Sequence, residues 1–168
     1  VGSEMCIRDS NSGIGSNGLT SGRHYSLSKI LMSKYPDSFD PNISEEVVYT
    51  GPHIPTDKSD VEGFNVGQLL LSPTRTYLPL LKRIVPQYRG SINGIIHCTG
   101  GAQTKVLNFI NKLEVIKDNL LHVPPLFKMI QAASGTSWKE MYQVFNMGHL
   151  LELYVKKDMC HKILDDIR

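Results

Sequence analysis

Two glycine-rich turns, each running directly into a helical apolar pattern, constrain this chain more than any other feature. The first is Ser12-Gly-Ile-Gly-Ser-Asn-Gly18 and the second is Thr99-Gly-Gly-Ala-Gln-Thr-Lys105. Glycine lacks a Cβ, so such turns can take positive φ and bring the backbone close to a neighbour or ligand. The second turn follows Gly94-Ile-Ile-His-Cys-Thr99, which reads as a buried strand. It leads into Gln103 to Asn111, where Val106, Leu107 and Ile110 have helical spacing. The first leads into a helical pattern from about Leu19 to Tyr35, with Leu27, Ile30 and Leu31 at i, i+3, i+4 and Pro36 as the stop.

The remaining segments extend this alternation. Pro36 to about Val66 is rich in Pro, Asp, Ser and Gly; it is mostly irregular, with Val47-Val48-Tyr49 as a short strand. A loop of that length is usually functional or mobile. A second helix begins near Thr76, with Tyr77, Leu80, Leu81, Ile84 and Val85 on one face and Pro79 in its first turn. Leu113 to Ile116 is expected as a strand, Pro124-Pro125 opens a helix, and Trp138 to Phe145 forms another capped by Thr136 or Ser137. His149 to Val155 is a strand and Asp158 to Ile167 a final helix. Alternating strands and helices imply a layered α/β or α+β domain.

Composition narrows the function classes. The chain has 168 residues, 40% hydrophobic and 20% charged, which suits one globular domain with a real core. The first 84 residues carry 8 basic and 9 acidic side chains, the last 84 carry 10 and 7. Neither half has a like-charge block that would serve as a nucleic-acid arm. Apolar runs such as Leu69-Leu70-Leu71 fall far short of the ~20 residues of a membrane span. Cys6, Cys98 and Cys160 stand singly, without a CxxC pair, which argues against structural zinc and for a reducing cytoplasm. Val1 to Ser10 has neither the basic nor the apolar region of a secretion signal. Its EMCIRDS stretch looks like a translated sequencing adapter. The native sequence is therefore expected from near Asn11, and the abrupt stop at Arg168 suggests truncation.

Each glycine turn admits two interpretations. One is a tight connection; the other is a phosphate site, because free N–H groups and the positive dipole end of a helix attract anions. Ser16 and Thr99 would add hydroxyl donors and Lys105 a charge. Neither turn is a Walker motif or a strand-following GxGxxG. No HxxxH or HExxH pair occurs, so no metal ligands are assigned. His97 reads as a buried core histidine, with orientation of a phosphate or amide as the alternative. Apolar surroundings at Cys98 argue against a nucleophilic thiol. Arg75, after Ser-Pro-Thr, is suited to bidentate contact with a phosphate or carboxylate, or to a salt bridge. Asn146-Met-Gly148 is a polar turn in which Asn146 or Gly148 takes the left-handed conformation. Asp57, Asp60 and Glu62 cluster in a polar loop and read as solvated charge. No catalytic residue is assigned.

Four stretches in register resemble one family: SNGLTSGRH (Ser16 to His24), LSPTRTY (Leu71 to Tyr77), HCTGGAQTKVL (His97 to Leu107) and EMYQVFNMGH (Glu140 to His149). The chain resembles phosphoribosylformylglycinamidine cyclo-ligase, the aminoimidazole ribonucleotide synthetase of purine biosynthesis, in the longer form of Bacteroidetes-like bacteria. The likeness covers about Asn11 to Arg168 and implies the C-terminal domain, 11–168. It implies a three-layer α/β/α fold with a mixed sheet and partial ferredoxin-like similarity. It further implies ATP and Mg²⁺ as cofactors, with the metal ligands mostly in an upstream domain. Formylglycinamidine ribonucleotide would be the substrate and the complete enzyme a homodimer. Gly15, Ser16, Asn17 and Gly18 match one cleft loop, and Thr99, Gly100 and Gly101 the other; Arg75 joins them as a candidate phosphate ligand. Many relatives have histidine where this chain has Gly15, and TGGG where it has Thr99-Gly-Gly-Ala102. Related ATP-using enzymes, such as formylglycinamidine ribonucleotide synthetase, and a non-catalytic phosphate-binding scaffold are the alternatives.

Overall fold

Apolar residues on both alternating faces of His149-Leu-Leu-Glu-Leu-Tyr-Val-Lys156 are the pattern of a strand covered from two sides. In the computed structural model this run is β3 (His149–Lys156), the middle of a three-stranded sheet ordered β1–β3–β2. β1 is Gly2–Arg8 and β2 is Ile92–His97. The structure describes residues 2–8 and 13–167, giving the backbone alone for 2–8, 16 and 17. Both pairings are antiparallel, with Met5 and Ile95 flanking Leu153. The sheet expected to be mixed is thus antiparallel among the described residues. β1 lies within the stretch read as an adapter-derived leader; main-chain pairing of this kind is open to any sequence that keeps its N–H groups.

Seven α-helices are described: α1 (Ser16–Ser26), α2 (Ile30–Lys34), α3 (Val66–Leu70), α4 (Leu78–Tyr88), α5 (Pro125–Ser134), α6 (Trp138–Val144) and α7 (Cys160–Ile167). Alternation along β3 distributes the core. Leu151, Leu153 and Val155 pack with Ile84 and Tyr88 of α4 and Ile163 of α7. Tyr154 packs on Ile96, Cys98 and Val106. The largest cluster joins Ile14, Leu27 and Tyr49 to Phe127, Ile130, Met141 and Phe145, tying α1, α5 and α6 together. Full burial of each such apolar side chain contributes about 1.5–3 kcal/mol.

The backbone departs from several of these expectations. The helix expected from about 19 to 35 is two helices. Leu27 is extended, and the Ser28 N–H leaves the helix to donate to the His53 carbonyl at 2.8 Å. Val47 to Tyr49 form no strand; Glu45–Val47 is a 3-10 turn and Tyr49 has φ 50°. The long loop is nevertheless anchored, since Val48 and Tyr49 are buried and the Tyr49 hydroxyl donates to Ser38 Oγ at 2.9 Å. Leu113 to Ile116 is not a strand either. Leu113 and Ile116 are 68% and 69% exposed, so their apolarity is not covered among the described residues. Gln103 to Asn111 is a tight 3-10 run, Ala102–Phe109, rather than an α-helix. α3 has a capping box that the sequence carries openly: Asn65 Oδ1 accepts the Gln68 N–H at 2.8 Å, and Gln68 Oε1 accepts the Asn65 N–H at 2.9 Å.

Candidate functional site

The first bend is pressed into place from below. A Cβ on Gly13 would lie 2.1 Å from the Ser72 carbonyl oxygen and 2.7 Å from that of Pro73, so only glycine fits there. Ile14 then turns into the core. Gly15 is the N-cap of α1 at φ 76°, ψ 152°, a region almost reserved for glycine. Having no side chain, it cannot cap the first-turn N–H groups of α1. A Cβ at Gly18 would come within 3.0 Å of Phe145, which keeps this helix tight against the segment after α6.

The second bend continues from β2. The Cys98 N–H donates to the Leu150 carbonyl at 2.8 Å, extending the sheet by one residue before the chain turns. Gly101 takes φ 84° and Ala102 φ 41°. Lys105 folds back over the bend: its ammonium donates to the His97 carbonyl at 3.0 Å and to Thr99 Oγ1 at 2.6 Å.

Both bends line one cavity of about 180 Å³. Its walls are Ile14, Gly15, Gly18, Thr74, His97, Cys98, Thr99, Val144, Asn146 and Leu150. No carboxylate is among them. The volume is below the ~300–1,000 Å³ that encloses a drug-sized ligand, and suits a phosphate-sized group better than a whole nucleotide. Thr74, Thr99 and His97 bring polar side chains to the walls, with Lys105 pinned behind Thr99.

Of the candidate phosphate ligands read from sequence, Gly15, Gly18 and Thr99 meet at this cavity, together with His97, Cys98 and Asn146. Gly100, Gly101 and Arg75 are exposed and are not among its walls; Thr74, next to Arg75, is. The side chains of Ser16 and Asn17 lie outside the described residues. His97 is not the buried core histidine expected: it sits exposed at the end of β2 and faces the cavity. Partial loss of water on the side of its ring that faces the cavity, and the nearby Lys105 charge, hold its pKa below the ordinary value. Asn146 is buried but not left-handed. Met147 (φ 53°) and Gly148 (φ 90°) take that conformation instead. Among the described residues, no three His, Cys, Asp or Glu side chains come together to hold a metal ion. No helix among them is long and apolar enough to cross a membrane.

Asn146 was legible only as part of a polar turn, and its partners explain its burial. Nδ2 donates to the Gly13 carbonyl at 3.2 Å and the Ile14 carbonyl at 2.9 Å, and Oδ1 accepts the Gly148 N–H at 2.9 Å. It therefore ties the first bend to the start of β3. Thr74 was missed altogether, having no signal beyond its place beside Arg75.

No family model matches the chain. Relatives among curated proteins do. A protein of Syntrophus aciditrophicus is 30% identical over 169 residues, covering 99% of this chain and 42% of its own length. One of Methanopyrus kandleri is 29% identical over 157 residues, covering 94% and 38%. A third, from Methanococcus vannielii, reaches 38% over 105 residues, or 61% of this chain. All three are named phosphoribosylformylglycinamidine cyclo-ligase. The chain is a relative of the phosphoribosylformylglycinamidine cyclo-ligases. It spans about two fifths of the length of the first two. The likeness to the cyclo-ligases read from four motifs thus extends over nearly the whole chain.

Two predictions follow from the local geometry. Gly15→Ala should cost about 1–3 kcal/mol. A Cβ there has room, its nearest neighbour being Asn146 Nδ2 at 3.7 Å, so the cost is conformational alone. An unchanged urea midpoint would show that Gly15 does not hold this backbone.

The second prediction concerns pH. His149 is 1% exposed; Nε2 accepts the Leu121 N–H at 3.0 Å, which leaves Nδ1–H to face the Met147 carbonyl at 3.3 Å. Burial lowers its pKa, against a smaller opposing pull from the Met147 carbonyl and Glu152. His24, also buried, is lowered by burial and by Arg23. The unfolded chain then binds protons that the folded chain refuses. Stability should be full above about pH 6.5 and decline as pH falls from there towards the depressed native values. A urea midpoint that rises or stays level between pH 7.5 and 5.5 would contradict this.

Proposed function

We propose that this chain is the C-terminal part of an ATP-dependent cyclo-ligase that closes formylglycinamidine ribonucleotide to aminoimidazole ribonucleotide in purine biosynthesis. The observation that carries the reading is the meeting of two glycine bends at one carboxylate-free cavity, in a chain whose relatives bear that name. In this reaction the substrate's amide oxygen attacks the γ-phosphorus of ATP and ADP leaves. The ring-closing nitrogen then adds to the activated carbon, and phosphate departs with the former amide oxygen. Such chemistry depends on holding two phosphate-bearing molecules in line and on stabilising transferred charge.

This chain's contribution is to bind and orient. Gly15, Ser16 and Asn17 on one side would offer backbone N–H groups to a phosphate of the ribonucleotide or of ATP. The N–H groups of Gly18 and Thr99 already donate to the Gly15 and His97 carbonyls at 3.3 and 2.8 Å, so Gly18 supplies close backbone approach and Thr99 its hydroxyl, with Gly100 and Gly101 beside it outside the walls. Arg75, beside Thr74 of the wall, adds a guanidinium at the rim. Mg²⁺ is assigned to none of the described residues, among which no three His, Cys, Asp or Glu side chains are placed to hold it, and no step here is routed through it. Exposed Phe109, Leu113 and Ile116, each about two-thirds accessible, support a complete enzyme in which more protein covers this stretch, including a homodimer. The cytoplasm is the compartment proposed.

The test is phosphate release from ATP that depends on formylglycinamidine ribonucleotide. An enzyme made complete by the parts its relatives possess should turn over, and the 168-residue chain alone should not. Turnover by the isolated chain, or none by the complete enzyme, would refute the assignment. In the complete enzyme, Arg75→Lys keeps the charge but loses the fork; it should lower kcat/KM by about 1–3 kcal/mol in transition-state terms. Unchanged kinetics would make Arg75 a surface residue.

A further inference from the structure

Gln103 belongs to the second bend by its backbone, and its side chain holds Asn146, the residue that ties down the first. It lies two residues after Gly101, inside the 102–109 turn, and is 8% exposed. Its Nε2 donates to the Asn146 carbonyl at 3.0 Å. Asn146 in turn holds the carbonyls of Gly13 and Ile14. On the other side, the Lys117 ammonium donates to Gln103 Oε1 at 3.2 Å and to the Gln103 carbonyl at 2.8 Å. An ammonium offers only donors, so Lys117 dictates which way the Gln103 amide lies: oxygen towards the lysine, NH₂ towards Asn146. Lys117 is itself fixed by Glu152, which is fully buried and whose second oxygen accepts the Tyr154 hydroxyl at 2.6 Å.

We propose that Gln103 is a positioning residue that locks the two glycine bends at one separation, with Lys117 and Glu152 setting its orientation. The bends are then pre-organised, and a ligand entering between them meets donors already in place. Only this last consequence rests on the phosphate-holding reading.

Gln103→Glu isolates the contact. It keeps the length and an acceptor for Lys117, but turns a carboxylate oxygen towards the Asn146 carbonyl. Gln103→Met keeps the length and removes every side-chain hydrogen bond. Amide exchange in the 168-residue chain, followed by NMR, reads the outcome. In both variants exchange at Gly18 and Gly148 should quicken by about tenfold, the effect of one lost net hydrogen bond, while Leu81 in α4 keeps its wild-type rate. Affinity for inorganic phosphate should fall in parallel. Unchanged rates at Gly18 and Gly148, a uniform acceleration that includes Leu81, or loss of the folded spectrum in both variants would each overturn the proposal. If wild-type chain binds no phosphate, the ligand reading fails, and the exchange rates still decide the positioning role.

Discussion

Lys117→Met should destabilise the chain by about 3–5 kcal/mol, the usual effect of leaving one buried charge without its partner. Glu152 is fully buried in the central strand, and Lys117 Nζ meets it at 2.5 Å with only 12% of its own side chain exposed. Tyr154 supplies one more hydrogen bond to the carboxylate, which is too little to replace an ammonium. Lys117→Met combined with Glu152→Leu should recover most of the loss, because two apolar side chains of similar size need no pairing. Urea denaturation of the single and double variants measures both. A single variant within about 1 kcal/mol of wild type would mean that water reaches Glu152, as at an exposed pair.

Gly13→Ala should cost about 3 kcal/mol, at the top of the usual range for overpacking. The added methyl would meet two backbone carbonyls, of Ser72 and Pro73, and neither can swing aside as a flexible side chain would. The bend must lift, which also pulls the Gly13 and Ile14 carbonyls from Asn146. Gly90→Ala is the control: a Cβ there touches nothing within 4 Å and its φ is ordinary, so it should be neutral or stabilise by up to ~1 kcal/mol. Equal thermal midpoints for the two variants would contradict the close approach at Gly13.

The elements that bury one continuous face were readable from periodicity. α4 shows its apolar stripe, and β3 shows the unbroken run of a strand covered on both sides. Where periodicity was absent or misleading, partners across the fold decided. Leu113 to Ile116 has strand composition, but a strand also needs a neighbour to pair with, and none lies beside it among the described residues. Leu27 breaks a good helical pattern because Ser28 pairs with the chain at His53. At the site, the two glycine bends were legible because glycine marks unusual backbone locally. Their connection was not. Glu152 hides in an apolar strand, Lys117 in an irregular segment 35 residues earlier, and Gln103 in a short turn. No local spacing relates the three; only the folded chain brings them together. His97 was misread because strand composition says nothing about where a sheet edge opens to solvent.

The central claim is that both bends serve one anion-holding hollow. Titration of formylglycinamidine ribonucleotide into the ¹⁵N-labelled chain tests it most directly. The amides of Gly15, Gly18 and Thr99 should shift together along one binding curve. Shifts confined to a single bend, or centred away from both, would contradict the account.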